Sequence, residues 1–547
     1  MKSKKKALSE EGVEELRLAF KARYHSFKLL LSANNRALEI MAGMEEALRG
    51  TQPFGMTFVF SRCTEVGTNV WRIIRHLDEL APGKYGALYE QFKEIQRGIN
   101  PFIEHKSALK EGPLVIPLES VDIGMTDQVG SKVANVAEIK NRLLLKVPDG
   151  FSITAHAFRT FMAHNDLQTE IDRQLQAADT DRLDEIYRLS SSIQQLTIGS
   201  SLPAELEEAI LEQYSYLEGS AGKGVTVAMR SSALGEDMAG TSFAGQYRSE
   251  LNVSREHLIH AYKEVVASKY SLQAMTYRLN RGIRDEDVAM CVGCMRMVDA
   301  VSGGVTYSRN PVDIGDDAVI INAVWGLPKS VVDGSSAPDL FTVSRSDPMR
   351  ILHKEIATKE EKFVCYPDEG ICRMDEVAEK GDLPSLTDGQ ALEIARIAVE
   401  LESFYGAPQD IEWALESDGS IFVLQCRPLQ RRERLGASGL TREWENGRGG
   451  ILLKGGVTAG PGAASGPVFI LKKEMDALRF PEGAVLVTAQ SLPRWAPLLD
   501  RAAAVVTEQG SVAGHLANVA REFRVPALFG VKGATGFLKD RQVVTVH

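Results

Sequence analysis

The chain has 547 residues, 44% of them apolar and 25% charged, and a formal net charge of −10. That length requires several cores, three or four at a usual domain size of roughly 150 residues. The acidic balance excludes nucleic acid as a main partner, because a phosphate backbone selects a basic face, and no apolar run approaches the roughly 18 residues of a membrane span. The one basic run, Lys2 to Lys6 interrupted by Ser3, has no apolar segment behind it to make a secretion signal and reads as a solvated terminus. Six cysteines, Cys63, Cys291, Cys294, Cys365, Cys372 and Cys426, are too few for a disulfide scaffold in such a chain. They fit a reducing, cytoplasmic setting.

Residues 1–110 read as a helical region. Val13, Leu16, Phe20, Phe27 and Leu31 recur at helical spacing, and Leu38, Met41, Met44 and Leu48 resume it after the SANN segment. Val70, Ile73, Ile74 and Leu77 make a third stripe, and Leu88, Phe92, Ile95 and Ile99 a fourth. The expectation is four amphipathic helices, a small bundle or a helical layer, without chemistry. From 111 to 430, short β-rich runs alternate with helices between Gly and Pro punctuation, which defines an α+β or α/β class. The charged, Gly-rich stretch 431–450 reads as a linker, and 451–547 as a small α/β domain with strands at GPVFIL, AVLVTA and AAVVTE, one helix and a final strand.

Several segments in the second and third regions could carry chemistry. In QVGSKVANVAEI, Lys132 follows Gly130 into a helix, a charge suited to a phosphate, although a surface lysine reads equally from that segment alone. In VAMRSSALGEDMAGTSFAGQYRSELNV an apolar strand ends at Arg230 and is followed by a Ser- and Gly-rich loop with an acidic pair, Glu236 and Asp237. Small residues with free N–H groups and a fixed guanidinium suit a triphosphate, and no Walker A sequence is present. Cys291 and Cys294 form a C-x-x-C inside an apolar run of strand length, with no second pair at zinc spacing, so a buried strand is expected there. In QDIEWALESDGSIFVLQCRP, alternation puts Asp410 and Glu412 on one face of a strand. A DG turn then leads to a second strand with Gln425 and Arg427 on one face. Two carboxylates, an amide and a guanidinium together suit Mg²⁺ held against phosphates, and a solvated polar hairpin is the plain alternative.

In TEQGSVAGHLANVAREFRVPALFG, a strand runs through a Gly-containing loop into a helix with Leu516, Val519, Ala520 and Phe523 on its apolar face. His515 falls in the first turn, where N–H groups and the helix dipole favour an attached phosphoryl group and depress the imidazole pKa. Gly510 and Gly514 allow a bulky donor to approach. The segment alone leaves a histidine that merely lines a helix start as an equal reading.

In order, these segments resemble the nucleotide-binding and phosphohistidine domains of the phosphoenolpyruvate synthase and pyruvate phosphate dikinase family, from about 111 to 547. The resemblance is carried by RSSALGEDMAGTSFAGQ, GGVTYSRNP, VWGLPKSVVDG, DIEW…LQCRP and TE-x-G-x(4)-H…ARE…VPA. It implies an ATP-grasp fold with a cleft between two lobes, then a small swivelling domain hinged near 430–450. Lys132 and Arg230 would hold ATP phosphates, Glu412 and Gln425 would hold Mg²⁺, and Asp410 and Arg427 match neighbouring cleft positions. His515 matches the phosphorylated histidine, and AMP is the expected nucleotide product. Where the family has a Gly pair before the histidine, this chain has Gly510 and Ser511.

No segment matches the pyruvate-binding barrel of the synthases. The resemblance therefore implies a fragment, a partner subunit carrying the acceptor site, or an unusual acceptor domain. Rifampicin phosphotransferases and phenylphosphate synthases resemble the same two domains with other small-molecule acceptors. A nucleotide-binding module without turnover is the remaining alternative.

Overall fold

The computed structural model describes residues 10–49, 56–103, 112–177, 183–236, 247–281, 285, 288–311, 315–334, 336–377, 381–429, 451–477, 479–499, 501–510, 512 and 514–547. The basic terminus Lys2–Lys6, Asp237 with the loop after it, the 431–450 linker and Ser511 lie outside the described residues. The chain divides into two compact units, residues 1–111 with 277–287, and residues 112–276 with 288–547.

The first unit contains the helices Glu10–Arg49, Met56–Leu80 and Gly86–Ile103. The first two expected helices are therefore one. The SANN segment has neither Gly nor Pro to break a helix, and Ala33 and Ala37 within and after it are buried with Ile40 and Ile74. Glu65, nearly buried, ties the first two helices by accepting from Arg36 at 2.5 Å. The other face of the first helix, with Phe20, Tyr24, Phe27, Leu31, Leu38 and Met41, is exposed.

The second unit mixes sheet and helix throughout, as expected for an α+β chain. Its first sheet is antiparallel. It comprises β1 (Val115–Pro117), β2 (Gly150–Ile153), β3 (Val227–Ala233), β4 (Ser249–Val253) and β5 (Met290–Arg296), in the order β1-β2-β5-β3-β4. The strand expected to end at Arg230 runs on to Ala233, because Ser231 and Ser232 are buried and pair with Val292 and Cys291 of β5. Cys291 and Cys294 lie in that central strand, fully buried and unbonded to each other, as the sequence indicates.

The second sheet is also antiparallel. It holds β6 (Ala300–Tyr307), β7 (Ala318–Trp325), β8 (Asp339–Ser344) and β9 (Ile351–Glu355). After the hairpin of β10 (Glu361–Tyr366) and β11 (Ile371–Glu376) come β12 (Gln409–Glu416) and β13 (Ile421–Pro428), giving the order β13-β12-β6-β7-β8-β9. One face is covered by the helices Ser131–Glu138 and Asp388–Tyr405, which bury Val136, Ile394 and Leu401 with Ile321, Phe341 and Trp413. The longer helix opens on a capping box of Thr387 and Gln390 and stops at Gly406, whose φ of 67° supplies the left-handed cap. In the β10–β11 hairpin Cys365 and Cys372 stand directly opposite and are disulfide-bonded. This departs from the reducing setting expected from the count of cysteines, which had no register to place two of them side by side.

The third sheet runs β14 (Val457–Gly460), β15 (Ala464–Leu471), β16 (Ala484–Gln490), β17 (Ala502–Gln509), β18 (Ala527–Phe529) and β19 (Val543–Val546), in the order β14-β18-β17-β16-β15-β19. Its central strands are parallel and buried on both faces. Ala484, Leu486 and Val505 pack under the helix His515–Phe523, and Val485, Val487 and Val506 pack on the opposite side with Leu538 and Val544. The strands expected at GPVFIL, AVLVTA and AAVVTE are β15, β16 and β17.

Candidate functional site

The hairpin of β12 and β13 turns at Asp418 and Gly419, whose φ is 86°. Its register places Asp410 opposite Arg427 and Glu412 opposite Gln425, so the four side chains form two cross-strand pairs on one face. The other face buries Trp413, whose indole N–H donates to Thr306 Oγ1 at 2.9 Å and fixes the strand's orientation. Arg230, in the middle of β3, reaches across from the first sheet. It contacts Glu412 Oε2 at 3.2 Å and donates to the Leu424 carbonyl at 3.2 Å.

Lys132 sits in the first turn of Ser131–Glu138. Gly130 precedes it with a φ of 77°, and a Cβ there would stand 2.1 Å from the Ser232 carbonyl. Only glycine lets that helix start this close to β3, and Ser232 Oγ accepts from Val133 N–H at 3.2 Å. The Lys132 ammonium meets Glu236 Oε1 at 2.5 Å, and Glu236 is fully buried. The sequence showed Glu236 as half of an acidic pair. Its contact with Lys132 depends on the Gly130 approach, which no local pattern displays.

His515 opens the helix His515–Phe523, after Gly514 in extended conformation. It is 3% exposed, and its Nε2 is buried with no hydrogen-bond partner among the described residues. Burial, and secondly the Arg427 guanidinium, push its pKa down to about 4. The ring is thus neutral at physiological pH, with a lone pair available. An unfolded chain would take up the proton first, near 6.5. The stability contributed by the neutral ring is therefore complete above that value and is lost as pH falls toward 4, amounting to roughly 3 kcal/mol. Histidine-ring NMR should show His515 titrating near 4; a midpoint near 6.5 would mean that the ring is not buried in solution.

All seven residues singled out in the sequence line one cleft of about 600 Å³: Lys132, Arg230, Asp410, Glu412, Gln425, Arg427 and His515. Met295, Val298, Leu327 and Phe363 supply an apolar part of the same wall. Asp410 accepts from Arg427 Nε at 2.9 Å and from Nη2 at 2.6 Å, and burial pushes its carboxyl up against the pull of Arg427. Behind this end of the cleft Tyr307 of β6, which the sequence reading passed over, is opposite Asp410 in register and fully buried. Among the described residues no cluster of three or more His, Cys, Asp or Glu side chains forms a ready-made metal cage. The oxygens of Glu412 and Gln425 still fit Mg²⁺, which takes one or two protein ligands and fills its shell with phosphate oxygens and water.

Lys132, Arg230 and Arg427, a carboxylate–amide pair and an unprotonated imidazole around one partly apolar cleft suit the binding of phosphate beside a nucleophile. Residues 126–443 match the pyruvate phosphate dikinase AMP/ATP-binding domain, and residues 480–547 match the mobile domain of the PEP-utilising enzymes. The chain belongs to the phosphoenolpyruvate synthase and pyruvate phosphate dikinase family.

Among curated relatives, the probable phosphoenolpyruvate synthase of Archaeoglobus fulgidus is 36% identical over 439 residues, covering 79% of this chain and 57% of that protein. The phosphoenolpyruvate synthase of Escherichia coli is 33% identical over 449 residues, 79% of this chain and 56% of its own length. That of Aeropyrum pernix is 34% identical over 470 residues, 80% and 57% respectively. The chain thus spans little more than half the length of the relatives it matches. No helix among the described residues is long and apolar enough to cross a membrane.

Proposed function

We propose that this chain binds Mg²⁺·ATP in the cleft, transfers a phosphoryl group to His515 and passes it to a small-molecule acceptor, pyruvate by the names of its relatives. The observation that carries the proposal is the buried, neutral imidazole of His515, its Nε2 without a partner among the described residues, sharing one cleft with Lys132, Arg230 and Arg427. Residues 111–430 are then an ATP-grasp domain, 431–450 a hinge, and 451–547 a phosphohistidine domain that swings toward an acceptor site, on this polypeptide or on a partner subunit. Residues 1–110 are a separate helical region. The setting is cytoplasmic.

Lys132 and Arg230 hold phosphate oxygens, exchanging their contacts with Glu236 and Glu412 for the charge of the nucleotide. Glu412 and Gln425 offer their oxygens to Mg²⁺. When bound, Mg²⁺ neutralises charge that builds up on the transferring phosphoryl group. Burial keeps the imidazole unprotonated, so its lone pair forms the N–P bond to the β phosphorus while the α–β phosphoanhydride P–O bond breaks and its electron pair leaves on AMP. Water then releases the γ phosphate as orthophosphate, and the β phosphoryl group stays on the ring. Arg427 stabilises the dianionic group newly attached to the ring. Two phosphates leave ATP stepwise in this reading, and AMP is the nucleotide product.

Incubation with Mg²⁺ and ATP should add one acid-labile phosphoryl group by intact mass, and His515→Ala should carry none. A label that survives His515→Ala would sink the assignment. Tight ATP binding with no label at any acceptor concentration would favour a binding module.

A further inference from the structure

The first helix, Glu10–Arg49, is apolar on two faces. One face, with Ala33, Ala37 and Ile40, is buried, as is Ile74 of the second helix. The other lies roughly 120° around the helix and carries Phe20, Tyr24, Phe27, Leu31, Leu38 and Met41, with exposures from 44% at Leu31 to 70% at Phe20. A helix that only covers one neighbour needs a single apolar stripe and turns polar residues outward. The spacing of the second stripe is that of a coiled-coil seam. Residues 20, 24, 27, 31, 34, 38 and 41 follow one another by alternating steps of four and three, over about three heptads. Asn34, half-buried, takes the single polar place in the series.

The size of the stripe matches a copy of itself. At about 200 Å² for a fully exposed aromatic side chain and slightly less for an aliphatic one, the six expose roughly 600 Å². That is the upper end of the apolar patch an ordinary monomer carries, about 300–600 Å². Covering it with the same stripe of a second copy removes up to roughly 1,200 Å² in all, where specific interfaces begin. Such a contact closes about a two-fold axis and uses one surface on both sides.

The flanking charges select an orientation. Arg23 and Lys28 are exposed beside the N-terminal half of the stripe, and Glu39 and Glu45 beside its C-terminal half. Parallel helices would bring Arg23 of one copy against Lys28 of the other, since those two places flank the seam on opposite sides. Antiparallel helices instead bring Arg23 and Lys28 of one copy within a turn of Glu45 and Glu39 of the other. With the two-fold axis between Leu31 and Asn34, Tyr24 meets Met41, Phe27 meets Leu38 and Leu31 meets Asn34 of the second copy. The two Asn34 amides then stand about 4.5 Å apart along the axis, near enough to hydrogen-bond to each other. A polar residue in a coiled-coil core fixes register at some cost in stability.

We infer that this stripe is a docking surface for a second copy of the chain, which it pairs with as an antiparallel coiled coil centred between Leu31 and Asn34. The surface lies outside residues 126–443 and 480–547, which carry the family match. It is independent of the reading of His515.

The test is the mass of the full chain in solution, by sedimentation at micromolar concentration. Wild type should sediment at twice the 60.0 kDa of one chain. Phe27→Glu and Leu38→Lys each set a charge against an apolar side chain in two layers of the seam, and each should raise the dissociation constant by on the order of 100-fold. Both side chains are exposed within their own copy, so circular dichroism should show the helices unchanged. Mixed one to one, the two variants should pair again. An antiparallel heterodimer holds one Glu–Lys layer and one native Phe–Leu layer, whereas a parallel one pairs neither charge. If either variant loses helical signal, Tyr24→Glu and Met41→Lys, one layer further out, replace them in the same experiment.

A monomeric wild type overturns the inference and gives the face to another segment of the chain or to a different protein. A dimer that both variants leave intact also overturns it, because another surface then makes the contact. Dissociation of both variants with no recovery on mixing overturns the antiparallel pairing.

Discussion

Glu412→Ala is expected to slow phosphorylation of His515 by on the order of 100-fold or more while the protein stays folded. Glu412 is a half-buried carboxylate opposite Gln425, and Arg230 reaches it from the other sheet. Its removal withdraws the one charged oxygen ligand proposed for Mg²⁺ and frees Arg230 from the position it shares with the phosphates. The two effects separate in Glu412→Gln, which keeps the shape and loses the charge. If the carboxylate serves the metal, Glu412→Gln should be nearly as slow, and excess Mg²⁺ should restore part of the rate. If it serves only to place Arg230, Mg²⁺ should restore nothing. A wild-type rate in either variant would remove Glu412 from the site.

The largest expected effect on stability lies away from the cleft, at a fully buried ion pair. Asp339 of β8 accepts from Lys359 Nζ at 2.5 Å, from Ala357 N–H at 3.0 Å, and from both the N–H and the hydroxyl of Ser385 at 2.7 Å. Lys359 is also fully buried and donates to the Ala357 carbonyl at 2.7 Å. Asp339→Ala leaves an ammonium and two backbone donors without their acceptor. It should cost about 3–5 kcal/mol, a large share of the roughly 5–15 kcal/mol that holds a domain together. Urea unfolding should show the midpoint fall. The double variant Asp339→Leu with Lys359→Met should recover most of the loss, since apolar side chains of similar size often replace a buried pair at little cost. A double variant no better than the single one would mean that the site depends on its polar geometry more than on charge balance.

The sequence showed most clearly those features that are local. Alternation along 409–428 with a DG turn placed Asp410, Glu412, Gln425 and Arg427 on one face, and the register bears that out pair by pair. The helix after the Gly-containing loop, with His515 first and Leu516, Val519 and Ala520 inward, was equally legible. What was not legible depends on partners distant along the chain. Arg230 sits in mid-strand because β5 pairs with the serines that follow it. Glu236 is buried because Gly130 lets a helix start against Ser232. Tyr307 stands opposite Asp410 because β6 pairs with β12, and neither segment marks the other. The SANN segment is polar, but polarity alone does not stop a helix whose alanines are packed. The seven candidate positions nevertheless converge on one cleft, because each lies in a segment where backbone pattern and side-chain chemistry point the same way.

The most direct test of the account is the fate of the two outer phosphates of ATP. Protein incubated with Mg²⁺ and ATP labelled at either the β or the γ position should retain acid-labile β label on the peptide containing His515, with AMP as the nucleotide product and no label in His515→Ala. Retained γ label with ADP as product would contradict stepwise, AMP-forming transfer, and label on any peptide lacking His515 would contradict the site itself.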